Sequence, residues 1–209
     1  MEGRKVSAVG LESPTVMDIR VTETPLHGPL VVEVDYFTDG RGFVMESYNK
    51  RVHLAAGITY EWVQDLHSRS TKNVLRGFHF QDGSAPMAKL VRCTQGAILD
   101  VIVDLRIGSP TFGKTFAIEL TAENKKMLLV PPEFGHAVWT LSDVAEHQYK
   151  ISNYYTPAAE CSIAWNDPEI GFEWPGNEPL LSKRDQNAIS LAAYKERPAF
   201  FYPPFGGRK

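Results

Sequence analysis

Ile98-Leu99-Asp100-Val101-Ile102-Val103-Asp104-Leu105 is the stretch on which the fold turns. Leu99, Val101, Val103 and Leu105 recur at every second position, the period of a strand whose side chains alternate between two faces. Ile98, Asp100, Ile102 and Asp104 share the opposite face. One face is core throughout, and the other sets two carboxylates among apolar residues. In a closed barrel that second face turns toward a polar cavity. On an open sheet it is a solvated outer surface, and the alternation fits both arrangements equally.

Outward from this strand, short β-rich runs alternate with turn signals. The pattern predicts strands over 17–22, 30–37, 43–48, 60–66, 74–81, 89–94, 97–106, 114–121, 127–130, 137–141 and 146–153. Gly40-Arg41-Gly42, Asp82-Gly83, Gln95-Gly96, Gly108-Ser109-Pro110 and Pro131-Pro132 separate them. Short helices are expected over 49–56 and 185–195. Strands at this spacing, without the long helices that βαβ units need, read as a mainly β sandwich or barrel. No repeat or linker divides the chain, so residues 1–209 read as one domain with a loose tail from about 203.

With 209 residues, the chain is long enough to bury a core without staples. A net charge of −3 argues against a general nucleic-acid binder, which would carry a basic footprint. The two cysteines, Cys93 and Cys161, make no disulfide framework, and a reducing cytoplasm is the expectation. Neither a signal peptide nor a membrane span is evident, so no membrane partner is expected.

Gln64 to Gln81 is unusually polar for a strand region. Arg76, His79 and Gln81 are costly to bury unless paired or liganded. Simple alternation puts His79 with Gln81 on one face and Arg76 with Phe78 and Phe80 on the other. A lone strand histidine is more often structural than catalytic, and these residues by themselves leave both open.

From about Asp35 to Asp185 the chain resembles the dTDP-4-dehydrorhamnose 3,5-epimerases and their relatives acting on other deoxysugars. The resemblance rests on ordered motifs: Asp39-Gly40-Arg41-Gly42-Phe43 with Glu46, Gln64-Asp65 through Ser70, Arg76 through Gln81, and Lys89-Leu90-Val91-Arg92. Asp104-Leu105-Arg106 with Ser109 to Gly113, Pro132 to His136 and Tyr149-Lys150 follow. Trp165-Asn166-Asp167-Pro168, Trp174-Pro175 and Leu181-Ser182-Lys183-Arg184-Asp185 complete the set. The resemblance implies a cupin-type jelly roll, a homodimer, no metal and no cofactor. It implies epimerisation of a nucleotide-linked 4-keto-6-deoxy sugar at C3, C5 or both.

Such chemistry needs a base for a weakly acidic C–H, a fixed positive charge at the enolate oxygen and an acid on the far face of the ring. The resemblance assigns the base to His79, its orienting carboxylate to Asp185, the far-face acid to Tyr149, the cation to Lys89 and a supporting carboxylate, paired with Lys89, to Asp100. It places Arg41, Glu46, Gln64, Arg76, His136, Tyr155 and Lys183 against the substrate. Each has a plainer alternative. Asp185 is placed to cap a helix, Tyr149 to line a barrel, Lys89 to charge a strand edge, Arg41 to idle in a hairpin turn and His136 to pack.

The chain also departs from the family pattern. Leu66 replaces a usual asparagine on the expected nucleotide face. After His136, Ala137-Val138-Trp139 replaces a usual Gly-Phe, which brings a larger or relocated ring near the sugar. These departures bear on which base and which carbons are accepted, and a GDP- or CDP-linked substrate remains an alternative. Two other classes compete. A metal-dependent cupin needs a second histidine where Gln81 stands, and a non-catalytic sugar-binding jelly roll needs no converging His, Tyr, Lys and Asp.

Overall fold

The computed structural model describes residues 4–6 and 17–203. The tail expected beyond about 203 lies outside the described residues. The strands are β1 (Arg4–Val6), β2 (Ile19–Glu23), β3 (Leu30–Val34), β4 (Tyr36–Asp39), β5 (Gly42–Met45), β6 (Gln64–Thr71), β7 (Leu75–Gln81) and β8 (Lys89–Gln95). They continue with β9 (Ala97–Asp104), β10 (Arg106–Ile107), β11 (Thr115–Thr121), β12 (Met127–Val130), β13 (Phe134–Thr140), β14 (Val144–Ile151), β15 (Glu160–Ser162) and β16 (Phe200–Phe201). Among the described residues, three short α-helices are α1 (Lys50–Ala55), α2 (Lys183–Gln186) and α3 (Leu191–Glu196).

A seven-stranded sheet runs β1-β2-β3-β12-β8-β14-β6, and a five-stranded sheet runs β11-β9-β13-β7-β15. Neighbours in both are antiparallel. Between β6 and β9, and again between β11 and β15, every connection carries the chain from one sheet to the other. That alternation closes two sheets into a mainly β jelly roll of the cupin type.

Three apolar layers follow. Val91, Cys93, Ile98, Ile102, Leu128, Val130, Phe134, Val138 and Ala145 fill the space between the sheets. Val101, Val103, Leu105, Leu75, Phe78 and Phe80 form the outer layer of the small sheet, beneath Ile163, Leu191, Tyr194 and Phe200. Val32, Leu90, Met127 and Leu129 form the outer layer of the large sheet, packed with Val52 of α1 and Ile58. Asn49 caps α1, its Oδ1 accepting the N–H of Arg51 at 3.1 Å.

Both faces of β9 are therefore buried, and the solvated reading of its carboxylate face fails: Asp100 and Asp104 are each 0% exposed. The two carboxylates part company. Asp104 is closed into a structural knot, accepting from Arg106 Nε at 2.8 Å and Nη2 at 2.7 Å and from the hydroxyls of Ser109 and Thr111. Asp100 turns toward the polar end of the interior.

Four expectations are corrected. The strand expected over 60–66 begins only at Gln64; Tyr60 and Trp62 alternate because they pack on the outer layer of the large sheet. The run over 30–37 breaks at Asp35, where β4 leaves to pair with β5 in a separate hairpin. The helix expected over 185–195 is two, α2 and α3, separated at Asn187–Ser190, because Ser190 caps a new start through its Oγ and the N–H of Ala193.

The fourth correction matters most: Arg76 does not share a face with Phe78 and Phe80. On β13, His136 stands opposite His79 but Val138 stands opposite Arg76, so three steps on β7 answer two on β13. This bulge rotates Arg76 to the inner side, where its Nε donates to Ser70 Oγ of the other sheet at 3.1 Å. Gly77 makes the bulge possible. Its φ is +131°, and a Cβ there would fall 2.5 Å from Ala137 Cα.

Candidate active site

A cavity of about 260 Å³ opens between the sheets, lined by Leu66, His79, Gln81, Lys89, Tyr149, Tyr155, Glu160 and Arg184 among others. A second, lined by Arg76, His79, Lys183, Arg184 and Asp185, adjoins it through His79 and Arg184. The fold thus gathers most of the residues expected of a site from distant parts of the chain.

His79 projects inward because its β7 neighbours Phe78 and Phe80 are anchored in the outer layer. Its Nε2 meets Asp185 Oδ1. Asp185 is 4% exposed and sits in the first turn of α2. Ser182 is the N-cap of that helix; its Oγ accepts the Asp185 N–H at 3.1 Å and donates to Asp185 Oδ2 at 2.7 Å. The capping and orienting readings of Asp185 are therefore one arrangement: one carboxylate oxygen serves the helix start, the other the histidine. Burial pushes the Asp185 carboxyl up, but bonding to His79 and Ser182 and the nearby charges outweigh it, and the net shift is below the ordinary value. Burial pulls His79 below its ordinary value; Asp185 opposes this, while Arg184 and Lys89 add to it.

Arg184 was not singled out by sequence reasoning, although it stood inside the quoted motif beside Lys183. Its Nη2 lies 2.9 Å from His79 Nδ1 and 2.7 Å from Nε2, and its Nη1 pairs with Glu160. The one-turn helix α2 carries Arg184 onto the imidazole and leaves Lys183 on the wall of the adjoining cavity. With Asp185 and Arg184 both on the ring, His79 has no lone pair free until the guanidinium draws back.

Lys89 is the second centre. Its Nζ donates to the His79 carbonyl at 3.2 Å and lies 3.4 Å from His136 Nδ1, while His136 Nε2 meets Asp100 Oδ1 at 2.9 Å. The expected pairing of Lys89 with Asp100 is replaced by a line, Lys89–His136–Asp100. Burial pulls Lys89 down to about 8 against the opposing pull of Asp100 and Glu160. Burial likewise lowers His136, with Asp100 resisting.

Tyr149 enters from β14 of the opposite sheet, and burial raises its phenol above the ordinary value. His79 and Tyr149 thus reach one cavity from facing sheets. Tyr155 donates to Glu160 Oε2 at 2.7 Å, and its N–H lies 3.5 Å from Gln64 Oε1. Gln81 is spent on structure: its Nε2 donates to Ala85 O at 2.7 Å and its Oε1 accepts the N–H of Thr156 at 2.6 Å. Among the described residues, no three His, Cys, Asp or Glu side chains converge as metal ligands would.

Two expected residues stay away. Arg41 pairs with Asp39 in the exposed β4–β5 hairpin. Glu46 accepts from Asn49 Nδ2 at 2.9 Å near the start of α1. Neither lines the His79 cavity of its own chain. Leu66 does line it. Trp139 does not: it packs in the outer layer of the small sheet and stacks on Trp174 at 5.9 Å, while Val138 takes the inward position.

A jelly roll with an oriented imidazole on one sheet, and a phenol and a cation on the other, all lining one cavity, suits general acid–base proton transfer on a small molecule. The family model described as dTDP-4-dehydrorhamnose 3,5-epimerase matches residues 23–193. The chain is 46% identical over 176 residues to the dTDP-4-dehydrorhamnose 3,5-epimerase of Escherichia coli K12, covering 83% of this chain and 95% of that one. It superposes with a TM-score of 0.83 and 38% identity on the Legionella pneumophila dTDP-6-deoxy-D-glucose-3,5-epimerase solved with dTDP-4-keto-L-rhamnose, covering 88% and 98% of the two chains. It superposes with a TM-score of 0.79 and 33% identity on a 3'-monoepimerase from Streptomyces bikiniensis solved with dTDP-quinovose, covering 85% and 90%. The chain belongs to the dTDP-4-dehydrorhamnose 3,5-epimerase family and is an isomerase.

Proposed function

We propose that the chain inverts C3 and C5 of a dTDP-linked 4-keto-6-deoxy sugar. One observation carries the reading: His79, held by the buried Asp185, faces Tyr149 across a single cavity from the opposing sheet. His79 removes the proton beside the ketone, and the C–H electron pair moves into an enolate whose oxygen lies against the Lys89 ammonium. Tyr149 returns a proton to the other face. A neutral imidazole is required, and the downward shift of His79 keeps it neutral at physiological pH. Asp185 then stabilises the imidazolium that forms, the logic of other His–Asp pairs.

The adjoining cavity suits a diphosphate, because Arg76, Lys183 and Arg184 line it and guanidinium forks match phosphate oxygens. A diphosphate there offers Arg184 a partner other than His79, which frees the base. Gln64 and Tyr155, in contact with each other, are assigned to the nucleotide, and Leu66 favours testing other bases. Epimerisation at C3 alone or C5 alone uses the same residues.

We also propose a homodimer. Tyr36, Phe37, Phe43 and Val44 on the β4–β5 hairpin are 43–68% exposed, more apolar surface than a solitary hairpin usually shows. Arg41 and Glu46, outside their own cavity, would then serve a second copy. A single domain in the cytoplasm agrees with the two unpaired cysteines; among the described residues no helix is long and apolar enough to cross a membrane.

Proton NMR of dTDP-4-keto-6-deoxyglucose with the protein in heavy water tests the reading. Exchange at both C3 and C5 is expected. Exchange at one carbon narrows the reaction to that carbon. Silence with dTDP-, GDP- and CDP-linked 4-keto sugars would refute the epimerase and leave a binding module.

A further inference from the structure

The proposed chemistry uses neither His147 nor the second oxygen of Asp100. His147 lies on the inward face of β14, two residues from Tyr149, and is 3% exposed. Its ring stacks on Tyr149 with centroids 5.8 Å apart and planes 20° apart. His147 Nδ1 and Asp100 Oδ2 are both buried, and neither has a hydrogen-bond partner among the described residues. Asp100 projects from β9 of the facing sheet, on the face of Ile98 and Ile102 that fills the space between the sheets. Buried polar atoms are rarely left bare. Two such atoms on facing sheets, one an acceptor only and the other able to accept, suit a water that donates to both.

We propose that one buried water bridges Asp100 Oδ2 and His147 Nδ1, making His147 a positioning residue at the far end of the Lys89–His136–Asp100 line. The water donates one hydrogen to each, so His147 is the neutral tautomer protonated at Nε2. Burial drives this ring down to about 4, and His136, Arg76 and His67 also oppose its charging, with Asp100 the opposing influence. With His136 on Oδ1 and the water on Oδ2, the carboxylate is held on both sides. Asp100 then keeps its field on Lys89, which retains its proton for the enolate oxygen. The role of Lys89 rests on the epimerase reading above; the tautomer and the water do not.

Two variants separate the ring from the nitrogen. His147→Phe keeps the stack on Tyr149 and removes Nδ1, so Asp100 is free to turn from His136. The alkaline limb of the solvent-exchange profile, set by Lys89, should move to lower pH by about half a unit, roughly a threefold loss of proton affinity. His147→Asn keeps an acceptor near the Nδ1 position and loses the ring. It should leave that limb in place and lower the ratio of product formation to exchange. An unmoved limb in a His147→Phe enzyme that still exchanges overturns the proposal.

Nitrogen-15 NMR of the unmodified protein decides the matter even if a variant fails to fold. Nδ1 unprotonated and hydrogen-bonded, with no titration down to pH 5, is expected. A proton on Nδ1, or titration near pH 6.5, overturns it. If the unmodified protein exchanges no keto-sugar proton, the epimerase reading fails instead, and the NMR result still stands for or against His147.

Discussion

Asp185→Asn isolates the carboxylate charge while keeping the shape of the α2 start. The amide can still accept from Ser182 and can still fill a pocket that leaves the Asp185 side chain 2% exposed. What is lost is a charge-assisted hydrogen bond from His79 Nε2. A hydrogen bond to a charged group contributes about 1.5–3 kcal/mol. At 1.36 kcal/mol per tenfold, that becomes roughly a 10- to 150-fold drop in the rate of proton abstraction. The direction follows from His79: Asp185 raises the imidazole's proton affinity against burial, Arg184 and Lys89, so its removal makes the base weaker. Deuterium incorporation at C3 and C5, followed by NMR, reads this step directly. Ser182→Ala is the control. It removes the cap, costing about 1 kcal/mol of stability, but leaves the His79 bond. If Asp185→Asn exchanges within about threefold of the unmodified enzyme while Ser182→Ala does likewise, Asp185 is a helix cap and no more, because the lower bound of the hydrogen-bond contribution would already exceed that loss. The pair also has a stability signature. Asp185 is lowered in the folded state, so its contribution is present above the unfolded carboxylate pKa of ~3.9 and is lost as pH falls through the lower folded value. Asp185→Asn should therefore lower the melting temperature at pH 7 and flatten its fall in acid.

The remaining predictions concern the other partners. The exchange rate should rise through an acid limb below the ordinary imidazole value, where His79 becomes neutral, and fall through an alkaline limb near 8 as Lys89 loses its proton; a profile flat from pH 7 to 9 would remove Lys89 from the enolate. Tyr149→Phe should leave proton abstraction within a few-fold and slow product formation by ~10²-fold or more, seen as deuterium washout without inversion; equal losses in both would remove Tyr149 from the far face. Gly77→Ala should destabilise the fold by at least ~2 kcal/mol, because φ is +131° and the new Cβ meets Ala137 Cα at 2.5 Å; an unchanged urea midpoint would mean the bulge tolerates a side chain.

Much of the barrel was readable because alternation reports burial directly. The strand over Met127–Val130 ends at the expected residues, and β9 carries its layers in its pattern. The same logic misled at Tyr60 and Trp62, where alternation reflects packing on a sheet rather than membership of one. It misled again at Arg76, because alternation assumes no extra residue, and a bulge is a property of two strands together. The residues proposed to act from within strands, His79, Lys89 and Tyr149, stand in one cavity. Those tied to turns were harder to place. Arg184 and Lys183 are chemically alike neighbours, and only the single turn of α2 decides which meets His79. Arg41 was readable as a motif, but a hairpin's reach depends on what it packs against, which one strand pair does not specify.

His79 and Asp185, the proposed base and the carboxylate proposed to orient it, are 106 residues apart in sequence. Asp185 also arrives on the segment that seals the outer layer of the small sheet. On the ribosome, His79 is therefore synthesised long before its partner, and a nascent chain holding most of the barrel still carries an unaligned imidazole. On the proposed assignment, competence is withheld until the last fifth of the chain has docked, so incomplete products have no oriented base with which to begin the reaction.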